Sequence, residues 1–303
     1  MKLASIPICL VQGHEWLESR QLVGFETCRR CRSRRRKPWD GPTLSPYEQG
    51  EAPELPPLPY TITVAARKGG SGKSTIALHL ALAAHLRGHK VVLADTDVQR
   101  SSIESLDARD GDRPEVASTR GAALRTLQAQ AAAHQVEYLI VDTPAGPGAD
   151  LTLAMMISDL TLLIARPSFL DIAAAARSFY EARALGRPAT ILLNQAQPAR
   201  GGQEAASVAR AMEALRHTRL PAAPLILHAR TAYQTAVARG RSVEELGPSA
   251  AADEVAALWR HVEAMRAEAL ADRAVADEAP ADAAAESERP MLAPAHQPGD
   301  QLV

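Results

Sequence analysis

Cysteine, lysine and long apolar runs are all scarce in this 303-residue chain. Its three cysteines, Cys9, Cys28 and Cys31, lie near the start, an odd number that argues against a disulfide framework and suits metal ligation better. No apolar run approaches the roughly 18 residues that a membrane span requires. The opening MKLASIPICLVQGHEW is broken by proline, glycine and histidine before a secretory core can form, so the expected location is the cytoplasm, with no membrane partner. Excess charge of either sign is missing too. A formal net charge of −1 excludes binding to polyanions through overall charge, although bases crowd the start of the chain and acids the end. A hydrophobic fraction of 46% is enough for the core of one large domain or two modest ones. Of 34 basic residues only five are lysines, a compositional bias toward arginine. Against that background, Lys68 and Lys73 within a single glycine-rich turn require a reason.

Composition divides the chain into four parts. Residues 1–37 are rich in cysteine, histidine and arginine, and residues 38–59 form a proline-rich linker without an apolar face. From Tyr60, short β-rich runs alternate with alanine-rich amphipathic stretches. The runs YTITVAA, KVVLAD, EYLIVD, LTLLIA, ATILLN and PLILH are almost continuously apolar, as strands buried on both faces are, and each interval is long enough for a helix. The expected fold is α/β: a mostly parallel sheet with helices on both faces. Val255, Leu258, Trp259 and Val262 share one face of a final helix ending near Leu270, and residues 271–303 have the acidic, alanine- and proline-rich composition of a disordered tail.

The turn ARKGGSGKST follows the first of these strands. Gly69, Gly70 and Gly72 let the backbone amides around Ser71 curl inward about an anion, and the following helix start adds its own N–H donors. Lys73 would reach the β and γ phosphates, Ser74 would offer its hydroxyl to Mg²⁺, and Thr75 would help fix a phosphate. Arg67 stands where the general phosphate-loop pattern begins with glycine. What is present is K-G-G-x-G-K-[ST]-T, which resembles the ParA/MinD family of ATPases with a deviant Walker A motif, over about residues 60–246. The resemblance implies a P-loop NTPase fold, ATP and Mg²⁺, and an ATP-bound homodimer in which Lys68 crosses to the nucleotide of the second subunit. Two polyphosphates facing one another carry heavy negative charge, so a lysine donated by each subunit makes pairing conditional on ATP.

Two acidic segments fit the same reading. In VVLADTDVQRS, Asp95 and Asp97 follow the second strand, where the carboxyl ends of a parallel sheet gather ligand-contacting groups. The resemblance assigns Asp97 to the attacking water and Asp95 to the Mg²⁺ shell. Val98 replaces the family's usual proline, and capping of a following helix remains open for one of the two acids. In EYLIVDTPAGPG the strand ends in Asp142, within reach of Mg²⁺, and a switch-like loop follows. Asn194, at the end of ILLNQ, is implied to contact adenine; a helix cap is the alternative.

Which task the engine serves depends on features outside the turn. No cysteine follows Cys31 to hold an iron–sulfur cluster in the nucleotide domain, and the acidic tail lacks the basic amphipathic helix of a lipid binder. RPSFLDIAAAARSFYEA and HARTAYQTAVARGRSVEEL resemble the ParA partition branch. That implies slow ATP hydrolysis stimulated by a ParB-type partner, and an ATP dimer on non-specific DNA, hence association with the nucleoid. Arg230, Arg239 and Arg241 are the candidate DNA contacts, with ordinary solvated arginines as the alternative. Cys9, His14, Cys28 and Cys31 supply a set of four N/S ligands suited to Zn²⁺, and plain reduced thiols remain open. A metal-handling or redox-maturation ATPase is the competing class. The cargo, whether plasmid, chromosome, protein shell or another complex, is not specified.

Overall fold

The computed structural model describes residues 16–18, 25–28, 34–36, 56–199, 201 and 203–278, with side chains from residue 56 to Asp272. Three short strands, β1 (Trp16–Glu18), β2 (Phe25–Cys28) and β3 (Arg34–Arg36), pair antiparallel, with Trp16 opposite Cys28 and Thr27 opposite Arg34. Of the candidate zinc ligands, Cys9, His14 and Cys31 lie outside the described residues, and Cys28 is placed only as the last residue of β2. Most of the expected linker lies outside them as well.

Seven strands form the main sheet: β4 (Tyr60–Ala65), β5 (Val91–Asp95), β6 (Glu115–Ser118), β7 (Tyr138–Asp142), β8 (Leu160–Ala165), β9 (Ala189–Ala196) and β10 (Ala222–His228). Their spatial order is β10-β9-β8-β4-β7-β5-β6, and every pairing is parallel. The expected α/β fold is therefore the observed one. Strand β6 was missed: at four residues, with Glu115 exposed on the sheet edge, it lacks the continuous apolar run that marked the others.

Among the described residues six helices connect the strands, α1 (Lys73–Leu86), α2 (Ser101–Asp107), α3 (Leu124–Ala133), α4 (Ala149–Ile157), α5 (Phe169–Ala184) and α6 (Ala206–His217), and two follow β10, α7 (Thr231–Val237) and α8 (Ala250–Glu278). Alternation along the buried strands sends Ile62, Val64, Leu93 and Ile140 into a core shared with α1, α2, α7 and α8. Their neighbours Ala65, Leu163 and Leu193 pack with α4, α5 and α6, and Val92, Leu139 and Val141 with α3 and α4. Helix α1 is buried from Ile76 through Ala84 with no break, because it is sandwiched between the sheet and α8. Such a helix needs no polar face, so its sequence shows no stripe.

The last helix corrects the expectation for the tail. Helix α8 continues to Glu278, past the boundary set at residue 270. Residues 271–278, ADRAVADE, contain neither glycine nor proline and are mostly good helix formers, so propensity carries the helix on until Pro280 approaches. Upstream, Arg266 anchors it by lying 4.6 Å from the Tyr138 ring centroid and donating to Tyr138 Oη at 2.6 Å. Among the described residues no helix is long and apolar enough to cross a membrane.

Helix α2 and the end of α7 meet at Gly240, whose φ is +61°. A Cβ there would stand 2.6 Å from the Ser105 carbonyl oxygen and 2.7 Å from Arg109 Cβ. Ser105 donates to the Val237 carbonyl at 2.5 Å, and Arg109 grips Glu245 with both carboxylate oxygens within 2.9 Å. Gly240→Ala combines a strained backbone with a collision against backbone, and is expected to destabilise the chain by about 1–3 kcal/mol. Urea denaturation measures this, with an unchanged slope and a lowered midpoint as the expected signature.

Candidate nucleotide-binding site

Register brings the chemistry together. Val64 pairs with Asp142, and Asp142 with Asp95, so the ends of β4, β7 and β5 stop at one level. The glycine turn leaves β4 at this edge. Gly70 and Gly72 have φ of +69° and +95°, which L side chains rarely adopt. Gly72 caps α1 with no side-chain hydrogen bond, and the first turn of α1 has no acid, so the leading amides face outward with no competing anion.

The turn is held from behind by β9. Asn194 donates from Nδ2 to the Ser71 carbonyl at 2.8 Å, and Gln195 donates from Nε2 to the Gly70 carbonyl at 2.9 Å. A Cβ on Gly72 would meet Asn194 Nδ2 at 2.3 Å, so glycine is required there by contact as well as by φ. Asn194 therefore clamps the loop and caps no helix. Ser71 Oγ is buried with no hydrogen-bond partner.

Lys73 is 7% exposed. Burial lowers its pKa, opposed by the nearby Asp142 and Asp97 carboxylates. Asp142 is fully buried, and neither carboxylate oxygen has a hydrogen-bond partner. Desolvation and then the adjacent Asp95 push its pKa up to about 7, against the opposing pull of the nearby Ser74 and Ser102 hydroxyls and of Lys73. Asp95, raised by burial, uses both oxygens on its own loop, accepting from Asp97 N at 2.9 Å and Ser102 Oγ at 2.7 Å. Asp97 is half-buried and closes a turn by accepting from Gln99 N at 3.0 Å, while Arg100 N donates to its carbonyl. The side-chain turn does the work a proline would do, and Val98 points outward, 90% exposed. The loop after Asp142 is tied back as Thr143 Oγ1 donates to the Val64 carbonyl and Gly146 N to the Ala66 carbonyl.

Beside the turn lies a cavity of about 700 Å³, with Thr75, Asn194, Gln195, Arg230, Tyr233 and Gln234 in its wall. Glu254 organises that wall: Arg230 Nη2 donates to it at 2.7 Å and Tyr233 Oη at 2.9 Å, with His228 Nδ1 at 2.8 Å. Burial raises the Glu254 pKa, but these partners outweigh it and hold the carboxyl below its ordinary value.

A family profile described as the CobQ/CobB/MinD/ParA nucleotide binding domain matches residues 62–243, more than half of the chain. The chain belongs to this family. Its relatives include the maintenance of carboxysome distribution protein A of Halothiobacillus neapolitanus, 29% identical over 209 residues, or 65% of this chain and 93% of that protein. The iron-sulfur cluster carrier protein of Escherichia coli K12 is 33% identical over 103 residues, 32% of this chain and 27% of that one. Among solved structures, Cyanothece McdA without nucleotide superposes with a TM-score of 0.57 at 18% identity, covering 67% of this chain and 98% of its own. MinD in the Aquifex aeolicus MinC:MinD complex does so with 0.54 at 18% identity, covering 67% and 95%. At those identities the likeness concerns the fold.

On this CobQ/CobB/MinD/ParA scaffold the glycine turn, Lys73 and Ser74 lie together with Asp95, Asp97 and Asp142 where the central strands end. The three candidate DNA-contacting arginines do not. Arg230 lines the cavity in an ion pair with Glu254, whereas Arg239 and Arg241 are exposed beyond the end of α7 with no ion pair among the described residues. Sequence reasoning gave no role to Glu254, which follows no motif, or to Asp171, which lies within the quoted RPSFLDIAAAARSFYEA and approaches Lys68 at 3.6 Å.

An acid whose folded pKa exceeds its unfolded value binds more protons when folded, so Asp142 favours folding less as pH rises from about 4 through about 7. Above that window the penalty is complete. Asp142→Asn is expected to stabilise the nucleotide-free chain at pH 8 by on the order of 1–3 kcal/mol, with the gap closing toward pH 4. The measurement is the difference between variant and parent, because buried His79, its pKa lowered to about 4 chiefly by desolvation, tilts both curves the opposite way.

Proposed function

We propose that this chain is a ParA-type ATPase that pairs two subunits around two ATP molecules and uses the paired state to position a cargo on non-specific DNA. The observation that carries the nucleotide reading is Asp142: a fully buried carboxylate at the end of a central strand, unpaired by distance and faced by the Ser74 and Ser102 hydroxyls and the buried Lys73. A charge so placed calls for a cation, and a set of carboxylate and hydroxyl oxygens suits Mg²⁺. Ser74, Asp95 and Asp142 would hold the ion, which when bound neutralises charge on the β and γ phosphates. The amides of residues 69–75 cradle the phosphates, and Lys73 meets the charge that develops as the terminal phosphoryl group leaves. Asp97, held forward by its own turn, orients the attacking water. Asn194 spends Nδ2 on the loop and keeps Oδ1 for the adenine amino group in the adjoining cavity.

Lys68, on the outer side of the loop, is the residue that crosses to the partner subunit's nucleotide. Arg239 and Arg241 are the DNA-facing cations; Arg230 serves the cavity wall. The ATPase domain begins at Tyr60 and its last helix runs to Glu278, behind a basic segment in which Cys9, His14, Cys28 and Cys31 hold Zn²⁺. Hydrolysis of ATP to ADP and phosphate is slow until a ParB-type or adaptor partner engages the dimer. The relative named for carboxysome distribution, matched over nearly its whole length, supports positioning as the task. The iron-sulfur carrier relatives favour a metal-handling reading, but over a shorter shared segment.

One experiment separates these readings: DNA retention titrated with salt in ATP, ADP or no nucleotide, on the parent and Lys68→Ala, with bound metal assayed alongside. The expected result is retention in ATP alone, falling steeply with salt and abolished in Lys68→Ala, with zinc that stays bound. Equal retention in all three states would sink the positioning reading, and metal transfer without DNA retention would favour the other. Asp97→Ala is expected to lower turnover by about 10²-fold or more and to accumulate the ATP dimer in sedimentation; normal turnover would remove that acid from the water.

A further inference from the structure

The sheet has a second cavity at its other end. It lies where β4, β7 and β8 begin, at Tyr60, Glu137 and Asp159, and a six-residue strand separates it by roughly 20 Å from the glycine turn. Its volume is about 760 Å³, and its wall includes Leu58, Arg125, Met156, Arg187, Arg266 and Leu270. None of these belongs to the nucleotide site. The acids beside it are already engaged: Glu137 meets His89 Nδ1 at 3.0 Å and accepts from Lys90 N at 3.2 Å, and Asp159 accepts from Thr61 N at 2.8 Å. Arg266 is held on Tyr138. Arg125 and Arg187, by contrast, make no salt bridge or side-chain hydrogen bond among the described residues. Leu58 and Leu270 are 56% and 49% exposed. Two uncommitted guanidinium groups beside exposed apolar side chains select an occupant that carries acids next to apolar bulk.

We propose that this cavity is the docking site of the chain's own C-terminal segment, residues 279–303. That segment has four acids, Asp282, Glu286, Glu288 and Asp300, against one arginine, Arg289, so its charge complements the two free guanidinium groups. Within it, ESERPML sets Glu286 and Glu288 just ahead of Met291 and Leu292, the combination the wall selects. Helix α8 delivers it. The helix passes the cavity at Arg266 and Leu270 and runs on to Glu278, eight residues or roughly 12 Å further. Residues 279–285 can extend to roughly 23 Å, enough to turn back and bring Glu286 to Arg187 or Arg125. A tether this short keeps the segment at a local concentration on the order of millimolar, so individually weak contacts suffice. Once docked, Met291 and Leu292 cover Leu58 and Leu270, and the segment closes over Pro56 and Pro57 where the chain enters β4. The docking is independent of nucleotide.

Hydroxyl-radical footprinting of the full chain, read by peptide mass spectrometry, reports the exposure of Leu58 and Leu270, with Leu170 at the opposite end of the sheet as the internal reference. Met291→Ser with Leu292→Ser is expected to raise labelling of both cavity leucines about threefold, and Glu286→Lys with Glu288→Lys to do the same. Arg125→Glu with Arg187→Glu is expected to expose them equally. Adding the two tail lysines to that background is expected to restore protection, a recovery that mere loss of stability would not produce. Labelling unchanged in both tail variants overturns the docking. Exposure in the tail variants without recovery in the charge-swapped chain overturns the pairing with Arg125 and Arg187 and moves the acids to the N-terminal arginines. Exposure caused by Glu51→Lys with Glu54→Lys, while the tail variants change nothing, gives the cavity to the linker and removes the C-terminal segment from it.

Discussion

Three parallel strands stop at one level, and the middle one ends in a carboxylate that the protein leaves without a hydrogen bond. Asp142 sits on β7 between Val64 of β4 and Asp95 of β5. Parallel pairing fixes that alignment, because a one-residue slip would turn each side chain to the other face of the sheet. Most of the surroundings follow from keeping this unpaired acid where it is. Thr96 and Thr143 spend their hydroxyls on the Asp142 and Val64 carbonyls, so the strand ends are tied together while the carboxylate is left alone. Asp95 is occupied with its own loop and so shapes the neighbourhood that Asp142 faces.

The glycine turn is usually thought of as a self-sufficient cradle, but here it leans on β9. Two side-chain amides in succession, Asn194 and Gln195, reach two successive loop carbonyls, and Gln195 adopts a φ of +54° in doing so. The same two residues form part of the cavity wall beside the loop. A ligand filling that cavity therefore touches the clamp that holds the glycine turn. On the opposite flank, α5 collects Arg67 and Lys68 through Ser178, Glu181 and Asp171, so the two basic residues that open the turn are both anchored to one helix.

Much of this was legible in the sequence, for identifiable reasons. The apolar runs at β4, β5, β7 and β8 are buried at every position, and continuous burial leaves a continuous pattern. The glycine turn stood out because its glycines, lysine and hydroxyls are adjacent in the chain. What escaped lacks such local signals. Strand β6 is short and half-exposed; α8 is prolonged by helix propensity in a stretch whose composition suggested disorder. Arg230 reads as a surface cation on a helix, and only the approach of Glu254, 24 residues away, makes it part of a wall. Asp171 was visible as a letter in a motif, yet its relation to Lys68 spans more than a hundred residues and requires the fold.

Helix α1 is enclosed from Ile76 to Ala84 by the sheet beneath and by α8 above. Close packing on all sides leaves such an element little room to tilt or slide. The floor under the glycine turn is therefore closely packed, and the parts with room to respond to a ligand are the parapets: the turn at Asp97, the stretch through Gly146, and the exposed Phe169 and Leu170 at the head of α5.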